Sequence, residues 1–320
     1  MTGRTRAVCV IMIPSNEGEN AVEWISCIRK TIDLIENSLQ EEITVEGICA
    51  QVYLSPVLLQ KGFSVMTGYS IGEYLRNRRL YQAGVDLQTT DEKVIDIALK
   101  YGYETPESFT KAFTRFHSVT PSQARAGAAI RVFLRLKINI DVIGGGTMKV
   151  KVVKMFPFKV IGFAREFDTE NSFEKVPAFW DEICEKYASN VYAGNPPANA
   201  YEKAIMDYCI GEYAICVDEG YGEGKMLYIL GGKYTGGEVP EGMMVYELPH
   251  TDWAVFDCIG PMPKAIQEMT TRIYKEWLPG NPDYELVGSA MVEWYDCING
   301  ETSDPDYHSA VWIPVKRKEK

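Results

Sequence analysis

Patterns for metal binding and disulfide bonding are missing from this sequence. Its eight cysteines, at positions 9, 27, 49, 184, 209, 216, 258 and 297, include no C-x-x-C pair. Histidine is scarce: His117, His250 and His308 are the three, and none stands at ligand spacing from another metal-binding side chain. These absences argue against a structural zinc site or a disulfide scaffold. Scattered thiols fit small core residues in a reducing compartment. Long apolar runs are missing too. The run AVCVIMI at 7–13 is followed by no small-residue cleavage site, and no run approaches the roughly 20 residues a membrane span needs. A soluble, cytoplasmic chain is the expectation, with residues 1–19 an extension outside the fold. No phosphate loop, nucleophile–base pair or metal set is present, so no cofactor is expected.

Positive charge is also in short supply, since the net charge is −11. Taken alone this argues against a nucleic-acid binder. The distribution reverses that reading for the first half. Residues 1–146 hold 16 basic and 16 acidic side chains, which leaves 17 and 28 for residues 147–320. The acidity belongs to the second half, and two parts with different roles are expected. A length of 320 residues and an apolar share of 46% suffice for two cores.

What is present, above all, is a repeat. SPVLLQKGF at 55–63 aligns with TPESFTKAF at 105–113: Ser55 on Thr105, Pro56 on Pro106, Leu59 on Phe109, Lys61 on Lys111 and Phe63 on Phe113, each pair 50 residues apart. In both copies a hydroxyl residue can cap a helix whose first residue is proline, where the missing N–H costs nothing. A short helix precedes each copy. Thr44 can cap the first, and the second ends at Gly102 before the turn Gly102-Tyr103-Glu104, with Glu104 and Glu107 near the positive end of the next helix. Upstream, Val22, Ile25, Ile28, Ile32, Ile35 and Leu39 recur at helical spacing, with Asn20 a candidate cap. Residues 70–88 read as one longer helix carrying Arg76, Arg78 and Arg79, a cluster suited to phosphate contacts.

Two short helices joined by a tight turn form the unit that places a recognition helix in the major groove. Two such units joined by a rigid helix can engage successive groove segments about 34 Å apart without a dimer. The stretch IDIALKYGYETPESFTKAFTRFHSVTPSQAR at 95–125 resembles the second helix-turn-helix of the AraC/XylS family of transcription regulators, and residues 20–126 fit its domain of about seven helices. The resemblance implies double-stranded DNA as a partner and RNA polymerase as a further candidate partner. It implies base reading by Val57, Leu58, Gln60 and Lys61 in the first unit and by Glu107, Ser108, Thr110 and Lys111 in the second. The sequence departs from the family at Lys61 and Lys111, where an arginine is usual, and at Tyr53 and Ser118, where glycine is usual. Gly62 sits inside the first recognition helix, at a cost of roughly 1 kcal/mol relative to alanine.

Residues 127–147 read as a linker ending in Gly144-Gly145-Gly146, with residues 148–318 as a second domain. The order there is strand, strand, helix, strand, strand, twice over, which predicts an α+β domain of two similar halves with antiparallel strands. The whole chain is thus read as two domains, an all-α double helix-turn-helix and an α+β domain of duplicated ββα-type halves. Glu293, in the strand SAMVEWYD, shares a face with Met291 and Tyr295. It is either solvated or buried among aromatics, and a buried carboxylate there requires a partner such as a cation held also by aromatic faces.

Residues 148–316, with the landmarks PEGM, WLP, E-x-Y and IPV in order, resemble the GyrI-like small-molecule-binding domain. In Rob-like regulators this domain is joined to an AraC-type DNA-binding domain. The resemblance implies an aromatic pocket between the halves that binds amphipathic cations, with Glu293 at its base and Tyr295 beside it. Tyr228, Trp180 and Trp253 are the further candidate lining residues. The implied function is a DNA-binding transcription regulator that responds to a lipophilic, cationic small-molecule effector. Two alternatives stand beside it: a hydrolase of reactive compounds using Glu293 with a tyrosine hydroxyl, and a ligand-free protein-contact module.

Overall fold

The computed structural model describes residues 24–138, 148–154, 158–169, 172–218, 224–297 and 301–318. The extension at 1–19, the candidate cap Asn20 and the glycine joint at 144–146 lie outside the described residues.

The first domain holds helices α1 (Trp24–Asn37), α2 (Val45–Val52), α3 (Pro56–Thr67), α4 (Ile71–Thr89), α5 (Val94–Lys100), α6 (Pro106–His117) and α7 (Pro121–Arg125). The expected caps form. Thr44 Oγ1 accepts from Gly47 N (3.1 Å), Ser55 Oγ from Leu58 N (3.4 Å) and Thr105 Oγ1 from Ser108 N (3.1 Å). Tyr53 and Ser118, found where the family has glycine, both close helices in the left-handed region, at φ 56° and 63°. Residues 128–138, within the stretch read as linker, pack along this domain without regular structure. Phe133 is buried, Arg131 N donates to His117 Nδ1 (3.0 Å), and Leu136 N donates to the Tyr74 hydroxyl (3.1 Å).

The second domain adds β1 (Val150–Lys154), β2 (Lys159–Asp168), α8 (Ser172–Ile183), α9 (Ser189–Tyr192), α10 (Ala200–Tyr208), β3 (Tyr213–Val217), β4 (Lys225–Lys233), β5 (Met243–Glu247) and β6 (Asp252–Ile259). It continues with α11 (Lys264–Arg272), α12 (Leu278–Gly280), β7 (Tyr284–Leu286), β8 (Ala290–Tyr295) and β9 (His308–Arg317). Two π-helical turns, Cys184–Ala188 after α8 and Ile273–Trp277 after α11, occupy matching places in the two halves.

The strands form one antiparallel sheet in the order β1-β6-β9-β8-β3-β4-β2-β5, with β7 also on β9. Each half gives its first strand to the other: β1 pairs β6, and β5 pairs β2. The halves meet where β8 pairs β3. The doubled pattern was legible in the sequence; the exchange of first strands was not. Neither were α10 and β7. One apolar cluster runs from Trp24 and Phe63 of the helical domain to Tyr228, Tyr274 and Met291 on one face of the sheet. A separate cluster, with Val292, Ile215 and Trp253, occupies the opposite face.

Candidate functional site

The two recognition helices have opposite fates. On α6, the side chains of Phe109, Phe113 and Phe116 are buried, which turns Glu107, Ser108 and Lys111 to solvent and leaves Thr110 half-buried. On α3, Val57, Leu58 and Gln60 are buried and Lys61 is half-buried. The α3 residues expected to read bases face the second domain in this arrangement, not open solvent. Helices α1, α2 and α3 all dock there.

Hydrogen bonds hold this contact. Val57 N donates to Asp218 Oδ2 (2.6 Å), so a carboxylate just past β3 satisfies an N–H in the first turn of α3. Gln60 Nε2 donates to Thr169 Oγ1 (2.6 Å), Trp24 Nε1 donates to the Tyr274 carbonyl (3.0 Å), and Gly224 N donates to Glu46 Oε1. Gly62 has its explanation here. A Cβ at this position would lie 2.1 Å from Cη2 of Trp24 and 2.8 Å from Cε1 of Tyr274. Those two rings pack at 5.3 Å across the domain boundary. The glycine that weakens α3 as a helix admits an aromatic from each domain.

The arginine cluster of α4 is dispersed by the helical repeat. Arg76 is exposed, whereas Arg78 is buried and paired with Glu36 (2.7 Å and 2.8 Å). Glu36 also accepts from the Tyr74 hydroxyl (2.7 Å). Burial pushes the Glu36 carboxyl upward, but Arg78 and Tyr74 outweigh it and hold the group below its ordinary value. Arg79 donates to the carbonyls of Leu39 (2.9 Å) and Glu41 (2.6 Å). The expectation that all three arginines contact phosphate is therefore corrected: Arg78 and Arg79 hold α1 and its following turn against α4.

In the second domain, strand alternation sets the Glu293 site. Glu293 pairs with Ala214 across the β8–β3 junction, and Cys216, two residues along β3, faces Tyr228 on β4. Glu293, Cys216 and Tyr228 thus share one face across three strands. The Tyr295 hydroxyl donates to Glu293 Oε2 (2.7 Å), and Trp180 Nε1 donates to the Tyr228 hydroxyl (2.7 Å). The rings of Trp180 and Tyr295 meet edge to face at 5.7 Å. Burial, and then the Glu293 charge, push both tyrosine hydroxyls well above the ordinary phenol value. Burial and Glu293 likewise push the Cys216 thiol up to about 12, while Lys61 pulls it down. Lys61, half-buried on docked α3, stands one helical turn after Val57, whose N–H meets Asp218, two residues beyond Cys216.

Four of the five expected effector-site residues come together: Glu293, Tyr295, Tyr228 and Trp180. Trp253 does not. It is fully buried on the opposite face of the sheet, because its register across β9 places it with Val255 and away from Ala254 and Phe256. Sequence reasoning missed Cys216 and Tyr274. Strand alternation in EYAICVDEG could have placed Cys216 on one face, but no local signal marked Tyr274. An open groove of about 440 Å³ lies elsewhere, between β2 and α8. Its charges serve one another, with Arg165 bidentate to Glu182 at 2.9 Å.

Residues 151–315 match the integron-associated effector binding protein family, and residues 48–127 match a helix-turn-helix domain. Among curated proteins, the transcriptional activator AarP of Providencia stuartii is 36% identical over 100 residues, 31% of this chain and 74% of that protein. The right origin-binding protein of Escherichia coli K12 is 30% identical over 172 residues, 53% of this chain and 57% of that protein's length. Among solved structures, a putative transcription regulation protein from Staphylococcus aureus MU50 has 18% identity and a TM-score of 0.42, covering 53% of this chain and 99% of that one. The described residues contain no helix long and apolar enough to cross a membrane. The chain belongs to the AraC/XylS family of transcription regulators, with a GyrI-like, integron-associated type of effector-binding domain at its C-terminal side.

Proposed function

We propose that the regulator senses a lipophilic cation at Glu293 and contacts DNA bases through the exposed face of α6. The observation that carries this reading is a carboxylate on the inner sheet face, flanked by Tyr295, Tyr228 and Trp180. A carboxylate supplies the counter-charge, and the aromatic rings supply apolar surface and cation–π attraction. On α6, Lys111 with Ser108 and Glu107 presents donors and acceptors of the kind that read base edges. RNA polymerase as a further partner and a cytoplasmic location belong to the same reading.

A hydrolase role is the weaker alternative. General acid–base work favours groups that titrate near the working pH, and the hydroxyls of Tyr228 and Tyr295 are pushed away from it. The test is a dye-displacement titration of wild type and Glu293→Gln with hydrophobic cations and their neutral analogues. The expected result is a loss of at least about tenfold in cation affinity, about 1.4 kcal/mol, with neutral compounds unaffected. Equal cation binding by the two proteins would contradict the reading.

A further inference from the structure

We propose that effector binding and docking of α3 exclude each other, so that a cation entering the Glu293 site displaces Lys61 and frees the first recognition helix for DNA. This rests on the reading of Glu293 as the cation's counter-charge.

The first ground is position. Helix α3 lies on β8, the strand that carries Glu293, and on the π-helical turn that carries Tyr274. Its half-buried Lys61 stands one turn after Val57, whose N–H meets Asp218, and Asp218 lies two residues beyond Cys216, which shares a sheet face with Glu293. A cation attracted to Glu293 thus meets a strand on which α3, with Lys61, already lies. The second ground is incompatibility with DNA. Val57, Leu58 and Gln60 are at most 9% exposed here. A major-groove contact through those side chains requires the helix to leave.

The third ground is the character of the contact. Its hydrogen bonds use Asp218, Gln60, Thr169, Glu46 and the Trp24 indole, groups that water can satisfy once the domains part. The buried Tyr274 hydroxyl finds no hydrogen-bond partner among the described residues, an imperfection of the docked state. The contact is nonetheless specific, because Gly62 makes room for Trp24 beside Tyr274. A specific interface that joins an aromatic contact to polar groups water can satisfy suits a two-state element that a ligand can bias. If the cation binds only the undocked chain, its apparent affinity is the intrinsic one reduced by the undocked fraction. Any change that weakens docking then tightens cation binding.

The test uses the full chain and tetraphenylphosphonium, titrated calorimetrically into wild type and Lys61→Met, with hydrogen exchange followed at the Val57 and Glu107 amides. The expected result is roughly tenfold tighter binding by Lys61→Met. In wild type, saturating cation speeds exchange at Val57 by at least about tenfold and leaves Glu107 unchanged. A second variant needs no ligand: Glu293→Gln alone should speed exchange at Val57. Equal cation affinity of wild type and Lys61→Met, with Val57 exchange unmoved by cation, overturns the exclusion while leaving the cation reading intact. Unchanged Val57 exchange in Glu293→Gln also overturns it. Failure of both wild type and Lys61→Met to bind the cation, with Val57 loosened in Glu293→Gln, sinks the cation reading and the exclusion together and leaves Glu293 a docking residue.

Discussion

Helices α3 and α6 are written in nearly the same local code, and the molecule uses them differently. Both begin with a capping hydroxyl and a proline, both carry a lysine at the sixth helical position, and both end in a left-handed cap. Among their differences, three bear on what each outward face meets. Val57-Leu58 stands where α6 has Glu107-Ser108, and Gly62 stands where α6 has Ala112. Apolar side chains on the outward face give α3 something to bury, and the glycine gives the other domain room to approach. The lesson is that capping and core positions fix a helix, whereas its outward face decides whether it meets solvent or a neighbour.

The comparison can be broken or sharpened by substitution. The largest effect is a control. Arg78→Met strands the Glu36 carboxylate inside the helical domain, and stability should fall by about 3–5 kcal/mol in chemical denaturation, with α3 and α6 losing protection together. Selective loss in one unit would show that the pair does not couple them. Because the folded Glu36 group is held below its ordinary value of 4.5, its stabilisation is present above that value and is lost as pH falls through the lower folded one.

Next comes Gly62→Val, which forces a side chain into the Trp24–Tyr274 contact. A loss of about 1–3 kcal/mol is expected by calorimetry, against about 1 kcal/mol or less for Ala112→Gly at the equivalent place in α6. Similar losses at the two positions would remove the asymmetry. For DNA, Lys111→Ala should weaken binding to a site selected from a random pool by about tenfold in fluorescence anisotropy. Lys61→Ala should leave the unliganded affinity within about twofold, and the reverse ranking would mean that α3 is the reading helix. The smallest effect belongs to Asp218→Asn, which weakens the cross-domain cap of α3 by about 1 kcal/mol. Its signature is faster exchange at Val57 alone, and an unchanged Val57 amide would show the cap to be incidental.

Much of this architecture was legible in the sequence because it rests on local rules. The 50-residue repeat gave both helix-turn-helix units, and alternation in SAMVEWYD placed Glu293 with Tyr295. What was not legible rests on contacts distant in the chain. No local pattern announces that β1 and β5 change halves, since pairing registers are settled between strands 80 to 106 residues apart. Trp253 was misplaced because an aromatic in a strand shows its parity only once its partner strand is known. The three arginines of α4 looked like one cluster in the sequence. The helical turn of 3.6 residues sent Arg78 inward to Glu36, a residue 42 positions away. The apolar pair Val57-Leu58 was a visible sign of docking, but the family resemblance assigned those positions to base contacts.

The most direct test of the difference between the two helices is hydrogen exchange at two equivalent amides in the unliganded full chain. Val57 N donates to Asp218 beneath the second domain, whereas Glu107 stands at the same position in exposed α6. The account predicts strong protection at Val57 and exchange close to that of a free first-turn amide at Glu107. Equal, fast exchange at both would contradict it, and α3 would then be as open to DNA as α6.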